Sequence, residues 1–251
     1  MAKVFKLALC VAVLTFAVLS SAAGRPVPAN LKKLYNHAKA GTHRCRSPLS
    51  STRFTDGHKR GGFIYCGDHE GILYLTGSSD RMALADMDVD CDGINRSKGA
   101  CANDPSGQDQ TAFKHEVSSY GIDDLDSNKH GYVVLGNQGS APSYLPSASG
   151  VESLSVVAVV CNDILFYGVW GDTNGGTDVG EASMSLAHAC FPDEHLSGDN
   201  GHETHDVLYV AFMGKQAKPG AKGANWRASS FNAFETSLAH IGDTLVSKIR
   251  V

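Results

Sequence analysis

Apolar residues recur along this chain with two different periods. Leu31, Leu34, Tyr35 and Ala38 share one face of a short helix over 30–38, with Asn30 placed as its N-cap. Near the C-terminus Phe231, Phe234, Leu238, Ile241 and Leu245 repeat at near-helical spacing, which predicts an amphipathic helix over 229–249. Between them lie β-prone runs at 63–66, 72–76 and 132–135. The strongest strand signal is a pair, 154–161 and 164–170, separated only by Asn162 and Asp163, and that pattern predicts a β-hairpin. Residues 181–190 read as a helix opened by Glu181, and 207–212 as a further strand. The segments 98–110, 137–150 and 214–224 are rich in Gly, Pro, Ser or Asn and read as loops, the last a solvated one carrying Lys215, Lys218 and Lys222. No repeat or linker divides the chain. The pattern predicts one α+β domain, β-rich, with a central mixed or antiparallel sheet open to barrel-like closure and a few helices.

Composition sharpens this picture at the N-terminus. MAKVFKLALCVAVLTFAVLSSAA places Lys3 and Lys6 before a short apolar run that ends in small residues, the pattern of a secretory signal over 1–23. The domain would then run over 24–251. No later run is long and apolar enough to span a bilayer. Without the signal two lysines and no acid leave the count, and 20 basic residues face 26 acidic ones. A mildly acidic surface is poorly suited to nucleic acid, which asks for a basic face. Cys45, Cys66, Cys91, Cys101, Cys161 and Cys190 remain, which in an oxidising compartment favours three disulfides. Sequential pairing (45–66, 91–101, 161–190) is preferred because each pair brackets a local unit. No C-x-x-C suggests a structural zinc, and no cofactor or metal is expected. A monomer is the default expectation.

Two stretches carry candidate chemistry. In ILFYGVWGDTNGGTDVGEAS, Asp172 and Glu181 stand at the rims of a glycine-rich loop. Strand alternation puts Phe166, Gly168 and Trp170 on one face, and Asp172 follows in the same parity if the strand continues. An Asp beside a Trp suits a sugar site; a core Trp and a turn-forming Asp is the plainer alternative. The second stretch, DMDVDCDG, would point Asp86, Asp88, Asp90 and Asp92 to one side of a strand, with Met87, Val89 and Cys91 on the other. Four like charges repel unless something cationic compensates, either Ca²⁺ or a polycationic substrate, or unless bonds to the backbone hold them. The run opens like an EF-hand loop but puts Gly99 where the twelfth-position Glu is required. His202-Glu203-Thr204-His205 lacks the i, i+4 histidine spacing of a zinc protease and reads as a polar loop, and Asp123-Asp124-Leu125-Asp126 as a solvated turn. Asn95-Arg96-Ser97 is a glycosylation sequon.

Taken together, these stretches resemble the fungal chitosanases of glycoside hydrolase family 75. The resemblance is carried by YCGD at 65–68, DMDVDCDG at 86–93, CANDPSGQ at 101–108 and SLSVVAVVCN at 153–162. YGVWGDTNGG at 167–176, VGEASMSLAHACFP at 179–192 and DVLYVAF at 206–212 extend it through nearly the whole mature chain. It implies a secreted enzyme that hydrolyses chitosan internally, with inversion. It also implies Asp172 and Glu181 as the two essential carboxylates. Which is acid and which is base stays open: a helix N-terminus at Glu181 would favour its charged form and so the role of base, while the longer reach of Glu favours Glu181 as acid and Asp172 as base. Trp170, Asn174 and the aspartates Asp86, Asp88, Asp90 and Asp92 would then contact substrate. Hydrolysis of partly acetylated chitin-type chains, and a non-catalytic carbohydrate- or calcium-binding protein, are the rival expectations.

Overall fold

The structure is a computed structural model that describes residues 24–39, 45–51, 53–77, 82–139, 141 and 143–251; the expected signal at 1–23 lies outside them. The strands are β1 (Arg25–Pro26), β2 (Phe54–Thr55), β3 (Gly61–Cys66), β4 (Ile72–Thr76), β5 (Ala85–Asp90), β6 (Tyr132–Asn137), β7 (Val156–Cys161), β8 (Ile164–Asn174), β9 (Glu181–Ser183) and β10 (His202–Phe212). The α-helices are α1 (Ala29–Lys39), α2 (Lys114–Ser119), α3 (Met184–Cys190), α4 (Gly220–Gly223) and α5 (Phe231–Val246). All strands join one mixed sheet, ordered β1-β8-β6-β9-β5-β10-β4-β3-β2. Strand β7 bonds to both β10 and β8, so β8, β6, β9, β5, β10 and β7 close a ring. The β5–β9 and β6–β8 pairs are parallel and the others antiparallel.

The β7–β8 hairpin forms as its sequence predicts. Cys161 pairs with Ile164, and the two turn residues Asn162 and Asp163 both have positive φ (49° and 58°), as a type I′ turn requires. Alternating side chains of the ring strands then feed two cores. Tyr132, Val156, Ala158, Leu165 and Tyr167 pack with Leu34 of α1 and with Phe234 and Leu238 of α5. The opposite set, Val133, Leu135, Val157, Val159, Phe166 and Trp170, packs with Leu186, Ala187 and Cys190 of α3. Helix α5 is capped by Ser230, whose hydroxyl accepts from Ala233 N. Asn30 is the second residue of α1 rather than the residue before it, and its Oδ1 accepts from Leu31 N at 2.9 Å. Its amide donates to the carbonyls of Val246 and Ile249 (2.8 and 3.1 Å) and ties α1 to the end of α5.

Three disulfides form in the sequential order expected: Cys45–Cys66, Cys91–Cys101 and Cys161–Cys190. The second joins the end of β5 to the segment after it, and so fixes that segment beside the strand.

Several expectations need correction. Residues 181–190 are not one helix: Glu181–Ser183 is a strand, and α3 begins only after Ser183, whose hydroxyl accepts from Leu186 N. His202 and His205 belong to β10 rather than to a polar loop, and both are held by acids. His202 bonds Glu194 and Asp206, while His205 bonds Asp56. Asp124 and Asp126 are buried, not solvated, because Thr111 donates twice to the first and Asn95 and Lys129 to the second. Lys218 is ion-paired with Glu116 rather than freely solvated.

The largest local departure lies in β8. Val133 pairs with Trp170, but Val134 pairs with Asp172, so Gly171 is an extra residue, a β-bulge. A bulge reverses the alternation, and Trp170 and Asp172 point to opposite faces despite their equal parity. A side chain at 171 would meet Tyr132 Cβ at 2.5 Å and Leu125 Cδ1 at 2.7 Å, so only glycine fits. Gly171→Ala should therefore lower stability by about 1–3 kcal/mol through overpacking. Thermal unfolding of the variant beside wild type measures this, and an unchanged melting temperature would contradict the bulge assignment.

Candidate active site

Strand register brings four residues into one row. Asp172 of β8 pairs with Val134 of β6, Val134 also pairs with Glu181 of β9, and Glu181 pairs with Asp88 of β5. Residues paired across a sheet project to the same face, so three carboxyl groups stand in line with one valine between the first two. Asp172 and Glu181 lie two strands apart, about 9.5 Å between Cα atoms at ordinary strand spacing. The adjacent row, Trp170, Val133 and Ala182, faces the other way, into the apolar core.

The acidic row floors a cleft made of two adjoining hollows that share Val89, Ser106 and Glu181. One contains Asp90, Asp92, Asp104, Gln108, Asp172 and Asn174; the other contains Gly57, His58, Asp88, Asp199, Asn200 and Glu203. Among the described residues, no lysine or arginine lines either hollow. The cleft is thus acidic along its length, which favours a cationic ligand.

Each carboxyl group is held differently. Asp172 is buried (5% exposed), and its Oδ1 accepts from the backbone N–H groups of Ala112 and Thr173 at 2.8 and 2.7 Å. Its Oδ2 is buried without a partner. Burial pushes the Asp172 carboxyl up to about 7, against the pull of those two N–H donors. Glu181 accepts a hydrogen bond from Asn174 Nδ2, and burial pushes it up to about 8. Because Glu181 sits in a strand, no helix dipole acts to keep it charged. Burial also raises Asp90 well above the usual carboxylate range, and Asp92 to about 6. Asp88 is raised too, by burial first, although Gly57 N donates to it at 3.1 Å.

Not every expected residue reaches the cleft. Trp170 is 2% exposed, with its indole N–H shared between the carbonyls of Leu135 and Asp172 and its ring edge-on to Phe113. Strand alternation ahead of the bulge turns it inward with Phe166, so it supports the floor from behind and offers no stacking surface. Asp86 is also fully buried, paired with Arg60 at 3.1 Å beneath the cleft, and does not line it. Asp88, Asp90, Asp92 and Asn174 do line it. Asn174 orients Glu181 with its amide and accepts from Gly176 N with its oxygen. Asp104, Ser106 and Gln108 also line the cleft, although their segment reads only as a loop in the sequence. Its signals are the family resemblance of CANDPSGQ at 101–108 and Cys101, whose disulfide brings that segment to β5. The sequon residue Asn95 spends its amide on Asp126 at 2.9 Å.

Comparison with known proteins bears directly on this arrangement. Residues 87–248 match the model of the fungal chitosanases of glycosyl hydrolase group 75. The chain belongs to that family. Endo-chitosanase B of Aspergillus oryzae (strain ATCC 42149 / RIB 40) is 48% identical over 239 residues, covering 95% of this chain and 98% of that protein. An endo-chitosanase of the same strain is 49% identical over 243 residues, and one of Aspergillus fumigatus 48% over 240, each with the same coverage.

The raised carboxyl groups make the stability of this family member depend on pH. Asp172, Glu181, Asp86 and Asp92 all have folded-state values above the ordinary carboxylate range, so between about pH 4 and pH 8 the native state binds more protons than the unfolded one. Stability should fall as pH rises through that window, and Glu181→Gln should flatten the slope; melting temperatures across the range test both. Asn174→Ala removes a donor that favours charged Glu181, so any activity that needs Glu181 protonated should extend to higher pH while its rate falls about tenfold or more. A pH–rate profile checks the direction of that shift.

Proposed function

We propose that this chain is a secreted endo-chitosanase that hydrolyses β-1,4 linkages between glucosamine units with inversion, using Asp172 and Glu181. The observation that carries the reading is the row Asp172–Val134–Glu181 at the floor of an acidic cleft. An inverting glycosidase needs one carboxylic acid to protonate the leaving oxygen and one carboxylate to activate water from the opposite side of the ring. The two groups stand about 6.5–9.5 Å apart. Two strand spacings suit that distance, and the names of the relatives agree with the substrate.

Roles follow from the surroundings. Glu181 takes the part of general acid: burial keeps its proton on at mildly acidic pH, and Asn174 aims it. Asp172 takes the part of base. Its Oδ1 is fixed by two backbone donors, which leaves Oδ2 to receive the proton of the attacking water. Chitosan carries one amine on each unit, protonated in mild acid, and the aspartates of the cleft supply the complementary charge. Residues 1–23 act as the secretion signal, 24–251 as the catalytic domain working as a monomer, and the three disulfides fit an oxidising destination.

The test is release of reducing ends from highly deacetylated chitosan by wild type, Asp172→Asn and Glu181→Gln. Wild type should cut and both variants should lose about three orders of magnitude or more while keeping native circular dichroism. Variants that cut normally would remove both residues from the reaction.

A further inference from the structure

Beside the catalytic row, Asp90, Asp92 and Asp172 each bring one carboxylate oxygen within 4.8 Å of the others. Asp90 Oδ1 accepts from Asp92 N at 2.8 Å and Asp92 Oδ1 from Gln108 N. Asp172 is 5% exposed, and its Oδ2 has no partner. Among the described residues no cation pairs with any of the three; Arg96, the basic neighbour that acts on Asp92, is paired with Asp109 at the rim. Other groups facing the cluster add negative charge or none. Glu181 faces it from β9, Asp104 from the disulfide-held segment, Asp124 from the turn at 123–126, and Tyr132 from β6, with its hydroxyl on the carbonyls of Asp90 and Asp92.

Three carboxylates this close cannot all stay ionised without a positive charge among them. When the gap is empty, a proton supplies it. A primary ammonium group has the size, charge and three donors to replace that proton. We propose that the gap between Asp90, Asp92 and Asp172 is a proton-for-ammonium exchange site, so that Asp172 becomes fully ionised only when a glucosamine amine occupies it. The proton leaves to solvent and no covalent bond changes. This rests on the proposed function and adds to it a reason for the base to work in mild acid: the substrate's own charge ionises it. An acetylated amine carries no charge and could not make the exchange.

The test is the pH dependence of wild type and Asp92→Asn on a fully deacetylated glucosamine hexamer. The acid limb of kcat/KM reports the free enzyme and that of kcat the bound complex. For wild type the kcat limb should lie lower by about one pH unit or more, since bound ammonium favours the ionised base. In Asp92→Asn the kcat/KM limb should move down toward that of kcat, because the neighbouring charge that raises Asp172 in the free enzyme is gone. A merely structural role for Asp92 would lower rates without drawing the limbs together. Coincident limbs in wild type would overturn the exchange while leaving the chitosanase reading intact. No hydrolysis of the hexamer by wild type would remove that reading and the exchange with it.

Discussion

The candidate site depends on one extra residue in one strand. Without the bulge at Gly171, Asp172 would follow Trp170 onto the core face and its carboxyl would be buried among apolar side chains. With it, the bulky indole fills the core while the carboxyl two positions later joins the opposite row. Glycine is required there because Tyr132 and Leu125 leave no room for a Cβ. The same Tyr132 braces the end of β5 through the carbonyls of Asp90 and Asp92. A packing constraint and the placement of the acids are therefore one arrangement.

Concentrating acids has a cost that the fold manages by position. The inner pair, Asp56 and Asp86, shares the Arg60 guanidinium, and Asp56 also bonds His205. Farther along the chain from Asp86, the carboxylates of Asp88, Asp90 and Asp92 receive backbone N–H groups but no cation among the described residues. Burial keeps these outer groups prone to hold protons, as it does Asp86, so what distinguishes them is the lack of a paired cation. The buried aspartates beneath the cleft have a cation beside them, whereas those lining it have none among the described residues, and the proposed cationic substrate would fill that role. This gradient along β5 separates support from binding within a single sequence motif.

Much of the fold is legible in the sequence. The hairpin, the terminal helix, the disulfide order and the one-sided aspartates follow from local rules: turn chemistry, helical spacing, cysteine brackets and strand alternation. Local rules also fail in identifiable places. Alternation puts Trp170 beside Asp172 because a bulge breaks parity without changing composition. A helix-like run hides the three-residue strand that carries Glu181. His202, His205, Asp124 and Asp126 look solvated because their partners are distant in sequence or outside the local pattern.

Sequence by itself determined which residue types were available for chemistry, and the family resemblance pointed to Asp172 and Glu181. Tertiary structure alone decided that these two face one another across Val134, that Trp170 and Asp86 lie out of reach of the cleft, and that Asp104, Ser106 and Gln108 border it. The physical reason is that register between strands is a long-range property. It is set by which faces can be buried together and where the chain has room to bulge, and neither is written in the neighbouring residues of any one strand.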